Sequence, residues 1–287
     1  MQVVANIGFL SAFYLSFSIG LAMIFGVMRV INYTHGEMYM LGAYTLWGAN
    51  ALLRGVVPAP LIFVLALIAA MALMGALGVV LQKAVVARLG GNTFSIFMAT
   101  LGLSYILQVV MIKVAGPIGK TILPMFPGII RFGSAILPIQ RLVICAVTIA
   151  AVAALGWFLL RTSLGRAIRA TAQNRSGALL QGVDIARIET ITMFLGCALA
   201  AMSGVLMAGT LNINPFMGGD AIWRSFIIII VGGIGSLPGA ALASVVFGAL
   251  DTLLTVTSHG QFAALIDALI MLVILAFRPN GLLGIRE

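Results

Sequence analysis

The run Leu61-Ile-Phe-Val-Leu-Ala-Leu-Ile-Ala-Ala-Met71-Ala-Leu-Met-Gly75-Ala-Leu-Gly78-Val-Val-Leu81-Gln82 holds no Lys, Arg, Asp or Glu. A helix needs about 20 mostly apolar residues to cross the bilayer core, and this run supplies them. It lacks the polar–apolar alternation of a barrel strand, and an open sheet in lipid would leave its edge N–H and C=O groups without partners. The stretch therefore predicts a membrane-spanning helix. It belongs to a charge-free run over 55–82, and the chain repeats the pattern at 1–28, 89–112, 142–160, 190–219 and 225–250. Shorter runs lie at 38–53, 252–266 and 268–277. Together they predict an all-α, polytopic helical bundle with about eight or nine transmembrane helices, some of them broken or re-entrant.

Composition agrees. Of 287 residues, 62% are apolar and 8% charged, too few charges to cover a soluble globule of this size. A soluble enzyme is nearly excluded, and so are fibrous and disordered classes. The net charge of +9 reads as basic residues retained in cytosolic loops rather than as nucleic-acid binding. Cys145 and Cys197 lie inside apolar runs and read as small buried hydrophobes, not as a metal site. No basic region precedes the first apolar stretch, so a cleaved signal peptide is not expected. The first basic residue is Arg29, after the first span, which favours an external N-terminus.

The spans are expected at roughly 7–28, 38–53, 61–82, 93–112, 142–160 and 190–211, then two runs within 222–257, and a last span at 261–277. Lys83 and Arg88 flank a short loop at Gly90-Gly91. The stretch 113–141 holds Pro117, Pro124, Pro127 and Pro138 and reads as a loop with a short interfacial helix. With 161–189 inside, alternation places ten of the sixteen Lys and Arg residues on the cytosolic side, and nine crossings put the C-terminus there beside Arg278 and Arg286.

Residues 161–189 form the one sizeable charged stretch, with Arg161, Arg166, Arg169, Arg175, Asp184, Arg187 and Glu189. The spacing predicts two short helices. Ser163 is placed to cap the first, running from Leu164 to Leu180, with Gly182 at its end and Asp184 capping a second. Ala167, Ile168, Thr171, Ala172, Ala178 and Leu179 form an apolar face, with the arginines largely opposite. Two readings fit: an interfacial helix with snorkelling arginines, or a docking helix for a soluble partner.

A second feature is the polar break Arg29-Val-Ile-Asn32-Tyr-Thr-His35-Gly36-Glu37 between apolar runs. His35 and Glu37 suggest a proton relay, but a broken-helix start is favoured, with Glu37 near a helix N-terminus and paired with Arg29. Asn32 and free backbone N–H groups there are candidates to face a substrate carboxylate. The break can be laid over Gly233-Ile-Gly235-Ser236-Leu-Pro238-Gly239-Ala240, and paired breaks mark substrate paths in transporters. The spacing Gly233-x-Gly235-x-x-x-Gly239 misses the dinucleotide fingerprint by one residue. Gly119-Lys120-Thr121 ends like a phosphate loop but has Val114 where glycine is required. Asp220 and Arg224 are four apart and are expected to pair; Asp251 and Asp267 face a watery interior or charges on another chain.

Four blocks carry a family resemblance: Gly26 to Glu37, Gly232 to Gly239, Arg278-Pro-Asn-Gly-Leu-Leu-Gly284, and Thr162-Ser-Leu-Gly165-Arg166-Ala-Ile-Arg169-Ala-Thr-Ala172-Gln-Asn174 with Ala178-Leu-Leu180-Gln-Gly182-Val-Asp184. The chain resembles the permease subunits of branched-chain amino acid ABC importers, and is most similar to the shorter of the two that pair in one transporter. The resemblance implies a single transmembrane permease domain over 1–287 with a cytoplasmic coupling loop at 161–189. It implies a multi-pass protein of the bacterial cytoplasmic membrane forming half of a translocation path. The partners implied are a second permease subunit, related or identical, two cytosolic ATPase subunits, and an extracytoplasmic substrate-binding protein. ATP and magnesium would sit on the ATPases; this chain would hold no catalytic, cofactor or metal site. Arg166, Arg169, Ala172, Leu180, Gly182 and Asp184 are the expected ATPase-coupling residues. Asn32, His35, Gly36, Glu37, Gly232, Gly233, Gly235, Pro238 and Gly239 are the expected path residues. The cargo is a small polar solute, foremost a branched-chain or related amino acid. The competing class is a self-contained secondary transporter or channel coupled through Glu37, Asp251 or Asp267; a membrane enzyme ranks last.

Overall fold

The computed structural model describes residues 1–90, 92–133, 135–257 and 259–284. Gly91 and Arg286, both used in the loop assignments above, lie outside them. The described chain folds into eleven α-helices and one β-hairpin. The helices are α1 (Gln2–Met28), α2 (His35–Leu53), α3 (Ala59–Leu81), α4 (Thr93–Ala115), α5 (Ile139–Arg161) and α6 (Ser163–Gln173). They continue with α7 (Arg175–Leu180), α8 (Ile185–Met207), α9 (Met217–Gly232), α10 (Leu237–Val256) and α11 (Ala263–Phe277). Strands β1 (Ile129–Phe132) and β2 (Ala135–Pro138) pair antiparallel between α4 and α5.

Seven helical segments are long and apolar enough to cross a membrane: Gln2–Met28, Ala59–Leu89, Thr93–Ala115, Ile139–Arg161, Ile185–Met207, Leu237–Val256 and Gly260–Phe277. With α2 and α9, which are shorter or more polar, the described residues form nine, within the expected range. Turn chemistry sets several boundaries. Pro58 precedes α3 and Pro138 precedes α5. Asn92 caps α4 by accepting from Ser95 N, and Ser236 caps α10 by accepting from Gly239 N.

The core lies along α8. From Gly196 to Met207 every residue is buried, and the helix is surrounded by α1, α2 and α3. Contact this close needs small residues: a Cβ on Gly20 of α1 would lie 2.8 Å from the Gly196 carbonyl oxygen. By contrast α11 is nearly bare, burying only Ala263 and Asp267.

The bundle has two distinct ends. At one, the Gln2 side chain accepts from Ile136 N of the hairpin, and Lys120 and Ile213 exchange backbone hydrogen bonds. At the other lie the end of α1, the α6–α7 elbow and the α9–α10 turn. A Cβ on Gly26 would come within 2.9 Å of the Gly235 Cα. The tail returns to this end, with Leu282 N and Leu283 N donating to Val231 O and Gly232 O. The N-terminus and the tail are thus at opposite ends.

Four expectations need correction. The 113–141 segment holds a hairpin, with no helix among its described residues between Gly116 and Pro138; Pro117 follows the end of α4 and Pro138 precedes α5. Thr162, not Ser163, caps α6, because its hydroxyl accepts from Gly165 N. The helix drawn from Leu164 to Leu180 is broken at Asn174, whose side chain accepts from Gly177 N and so caps α7. Asp184 caps α8 itself, which starts at Ile185 and ends at Met207, so the span is displaced toward the elbow from 190–211.

Candidate functional site

The elbow is held from both sides. Thr162 starts α6, and at Gly165 a side chain would collide with Leu159, so α6 folds back tightly on the end of α5. Ile168, Thr171 and Ala178 point into the bundle. Gly182, at φ +79°, ends α7 with Val183 N donating to Ala178 O. Arg175 pairs with Glu189, which also accepts from Gln82 Nε2 at 3.3 Å, tying the elbow to α8 and α3's extension. The outward side carries Arg166, Arg169, Gly182 and Asp184, all exposed, with Ala172 half-buried. Leu179 and Leu180 are 62% and 86% exposed. Leu179 is thus separated from the rest of the apolar face drawn for it, whose Ile168, Thr171 and Ala178 are buried. Behind the elbow lies a cleft of about 860 Å³ lined by Met28, Arg29, Val86, Thr93, Asn174 and Glu189 among others.

The second constellation is where α1 ends and α2 begins. Arg29 adopts the left-handed conformation, φ 54°, and the chain folds back so that α2 starts inside the bundle. His35 packs against Phe17 with the rings tilted by 47° at 5.0 Å between centroids, and its Nε2 donates to Phe17 O at 3.4 Å. Asn32 donates to the Met193 sulfur at 3.6 Å. Helix α4 seals this junction through a polar seam: Tyr33 N donates to Thr100 Oγ1, Thr34 Oγ1 to Thr100 O, and Ser104 and Gln108 both to Glu37 Oε1 at 2.5 and 2.8 Å. Glu37 thus takes its bonds from α4 rather than from Arg29. Asn32, His35 and Glu37 are fully buried, and Asn32 Oδ1, His35 Nδ1 and Glu37 Oε2 have no hydrogen-bond partner among the described residues. The backbones of α2 and α9 touch here: a Cβ on Gly218 would lie 2.7 Å from the Gly36 carbonyl carbon.

The other break is at a different level. Gly232, Gly233 and Gly239 are buried at the elbow end, with Gly235 half-buried and Pro238 exposed. Gly233 faces the tail at Gly284, and Gly232 faces Gly239. The two laid-over segments are each helix–break–helix, but Gly235 meets Gly26 whereas His35 meets Phe17, so they do not converge on one point.

A third polar group was missed as a unit. Arg224 bridges Asp251 and Asp267 (3.0 Å), and Tyr14 donates to Asp251. Arg224 is therefore paired with α10 and α11, not with Asp220, and one oxygen of each aspartate finds its counter-charge within the chain. The signal was available as one basic and two acidic residues alone inside apolar runs. Likewise, Thr100, Ser104 and Gln108, spaced four apart, mark one polar stripe on α4 that could have been matched to Glu37.

A bundle with nine such helices among the described residues, a broken helix pair in its middle and an exposed basic elbow defines a polytopic membrane protein of the transport type. A family model described as the permease component of a branched-chain amino acid transport system matches residues 3–277. The chain is similar to the high-affinity branched-chain amino acid transport system permease protein BraD of Pseudomonas aeruginosa. They share 31% identity over 283 residues, 96% of this chain and 92% of the relative. It is similar also to the permease LivH of Escherichia coli, 28% identical over 287 residues, 97% and 93% of the two chains. A shorter match reaches the autoinducer 2 import permease LsrC of Escherichia coli, 28% over 138 residues, 45% and 40% of the two. The chain belongs to the family of branched-chain amino acid ABC transport permeases.

Proposed function

We propose that this chain is the membrane subunit of an ATP-driven importer of a small polar solute, foremost a branched-chain or related amino acid, and forms half of its translocation pathway. A second permease chain supplies the other half. ATP is hydrolysed on separate cytosolic subunits with magnesium, and a binding protein delivers cargo at the hairpin end. In this reading the elbow end faces the cytosol, with the tail, and the N-terminus lies outside.

The observation that carries the proposal is the elbow's exposed tip. Leu179 and Leu180 stand out between Arg166, Arg169 and Asp184 on helices anchored to α5, α8 and α3. An apolar tip ringed by charge suits a protein partner, and a rigid attachment passes its movement into the bundle. A partner can shift the permease between two states only by binding them unequally, and Arg166, Arg169, Ala172, Leu180, Gly182 and Asp184 are where that difference enters. The broken junction at Asn32, His35, Gly36 and Glu37, and the turn at Gly232, Gly233, Gly235, Pro238 and Gly239, are the segments such movement rearranges. Against the secondary-transporter reading, Asp251 and Asp267 are engaged by Arg224, and Glu37 by Ser104 and Gln108.

The test is co-purification from its native membrane with ATPase subunits, identified by mass spectrometry. The tagged chain is expected to retain them, and the doubly charge-reversed Arg166→Glu, Arg169→Glu variant to lose most of them. Undiminished retention by that variant would refute the assignment.

A further inference from the structure

Asp220 lies in the first turn of α9 and is exposed. Its level in the bundle is fixed by neighbours. Gly218 abuts Gly36, Glu37 bonds Ser104 halfway along α4, and His35 packs on Phe17 near the middle of α1. The carboxylate thus stands at half-height on a membrane bundle, and among the described residues no hydrogen bond or ion pair engages it. Arg224, four residues on, is turned away to Asp251 and Asp267. A bare carboxylate at this depth is too costly in hydrocarbon, so the surface that carries it faces water or a ligand.

The surroundings define the chemistry of that ligand. Phe216, Asp220 and Trp223 form one outward stripe of α9, with both aromatics exposed. Tyr33, half-buried, lies three residues before Gly36, which abuts Gly218, and the exposed Tyr105 on α4 follows Ser104, which bonds Glu37. A carboxylate at the level of two tyrosines and on one stripe with exposed aromatic rings matches an ammonium group, for which these residue types supply charge, acceptors and cation–π faces. The aromatic flanks also suit an apolar side chain on the same molecule.

We propose that Asp220, with Tyr33, Tyr105 and Trp223, is a station on the translocation path that takes the ammonium group of the amino-acid cargo. This rests on the importer reading above but adds a residue and a polarity to it: the cargo's cationic end turns toward α9. The fully buried Asn32, His35 and Glu37 then support the junction, while the exposed residues beside them meet the cargo.

The test uses the assembled transporter with Cys145→Ala and Cys197→Ala as background. Asp220→Cys is expected to react with a water-soluble trimethylammonium methanethiosulfonate at least tenfold faster than Leu269→Cys, on the bare face of α11. Equal, slow rates would place position 220 against lipid or against a basic residue of the second permease, and would overturn the proposal. This labelling does not depend on ATP hydrolysis, so it stands apart from a failure of the elbow to couple. In parallel, uptake of leucine is expected to fall at least tenfold in Asp220→Asn and to be partly restored in Asp220→Glu, with both complexes assembling as the unaltered one does. Unchanged uptake in Asp220→Asn would equally overturn it.

Discussion

At Arg224 one guanidinium serves two carboxylates inside an apolar bundle, and its removal leaves both without their counter-charge. Asp251 and Asp267 are buried, and each already has one oxygen without a partner. Breaking a buried ion pair from one side costs about 3–5 kcal/mol, because the remaining charge keeps its desolvation cost. Arg224→Ala is therefore expected to melt well below the unaltered protein in detergent, with Asp251→Asn, Asp267→Asn recovering part of the loss on that background. An unchanged melting temperature for Arg224→Ala would show that the cluster does not hold α11 to α9. At Thr162 the stake is smaller. Losing the α6 cap in Thr162→Ala is expected to cost about 1 kcal/mol, read as faster amide exchange in the first turn of α6.

Among the elements, the long apolar helices were the most legible, because 20 charge-free residues admit few structures in lipid. The positions of Gly182 and Asp184 were legible for a similar reason: a left-handed C-terminus and an N-cap each accept few residue types. The break at Asn174 was passed over although Asn174, Ser176 and Gly177 are weak helix formers and Asn favours an N-cap; the bond that Gly177 N donates to Asn174 Oδ1 splits α6 from α7. The hairpin was hidden because proline argues against a helix without saying what replaces it. The sequence marks the polar stripe on α4 and the lone charges in apolar runs, but which of them meet Glu37 and Arg224 depends on which helices become neighbours, and that pairing was not read from spacing. The elbow's attachment gives a test at this scale. Gly165→Val would drive α6 off Leu159, so it is expected to weaken ATPase retention although residue 165 is buried and touches no partner itself. Full retention would mean that α6 need not fold back on α5.

Across the whole molecule the two ends differ in kind. The elbow, the α9–α10 turn and the tail share one end, while the hairpin and the N-terminus share the other. In intact cells, Gln2→Cys is expected to react with an impermeant maleimide and Leu180→Cys only after the membrane is opened; the reverse pattern would invert the proposed orientation. If that order holds, ATP consumed on a neighbouring protein must reach the broken junction through the elbow. The most direct measurement is substrate-stimulated ATP hydrolysis by the assembled complex carrying Leu180→Asp. Stimulation reduced at least tenfold is the predicted result, and stimulation equal to that of the unaltered complex would contradict the account.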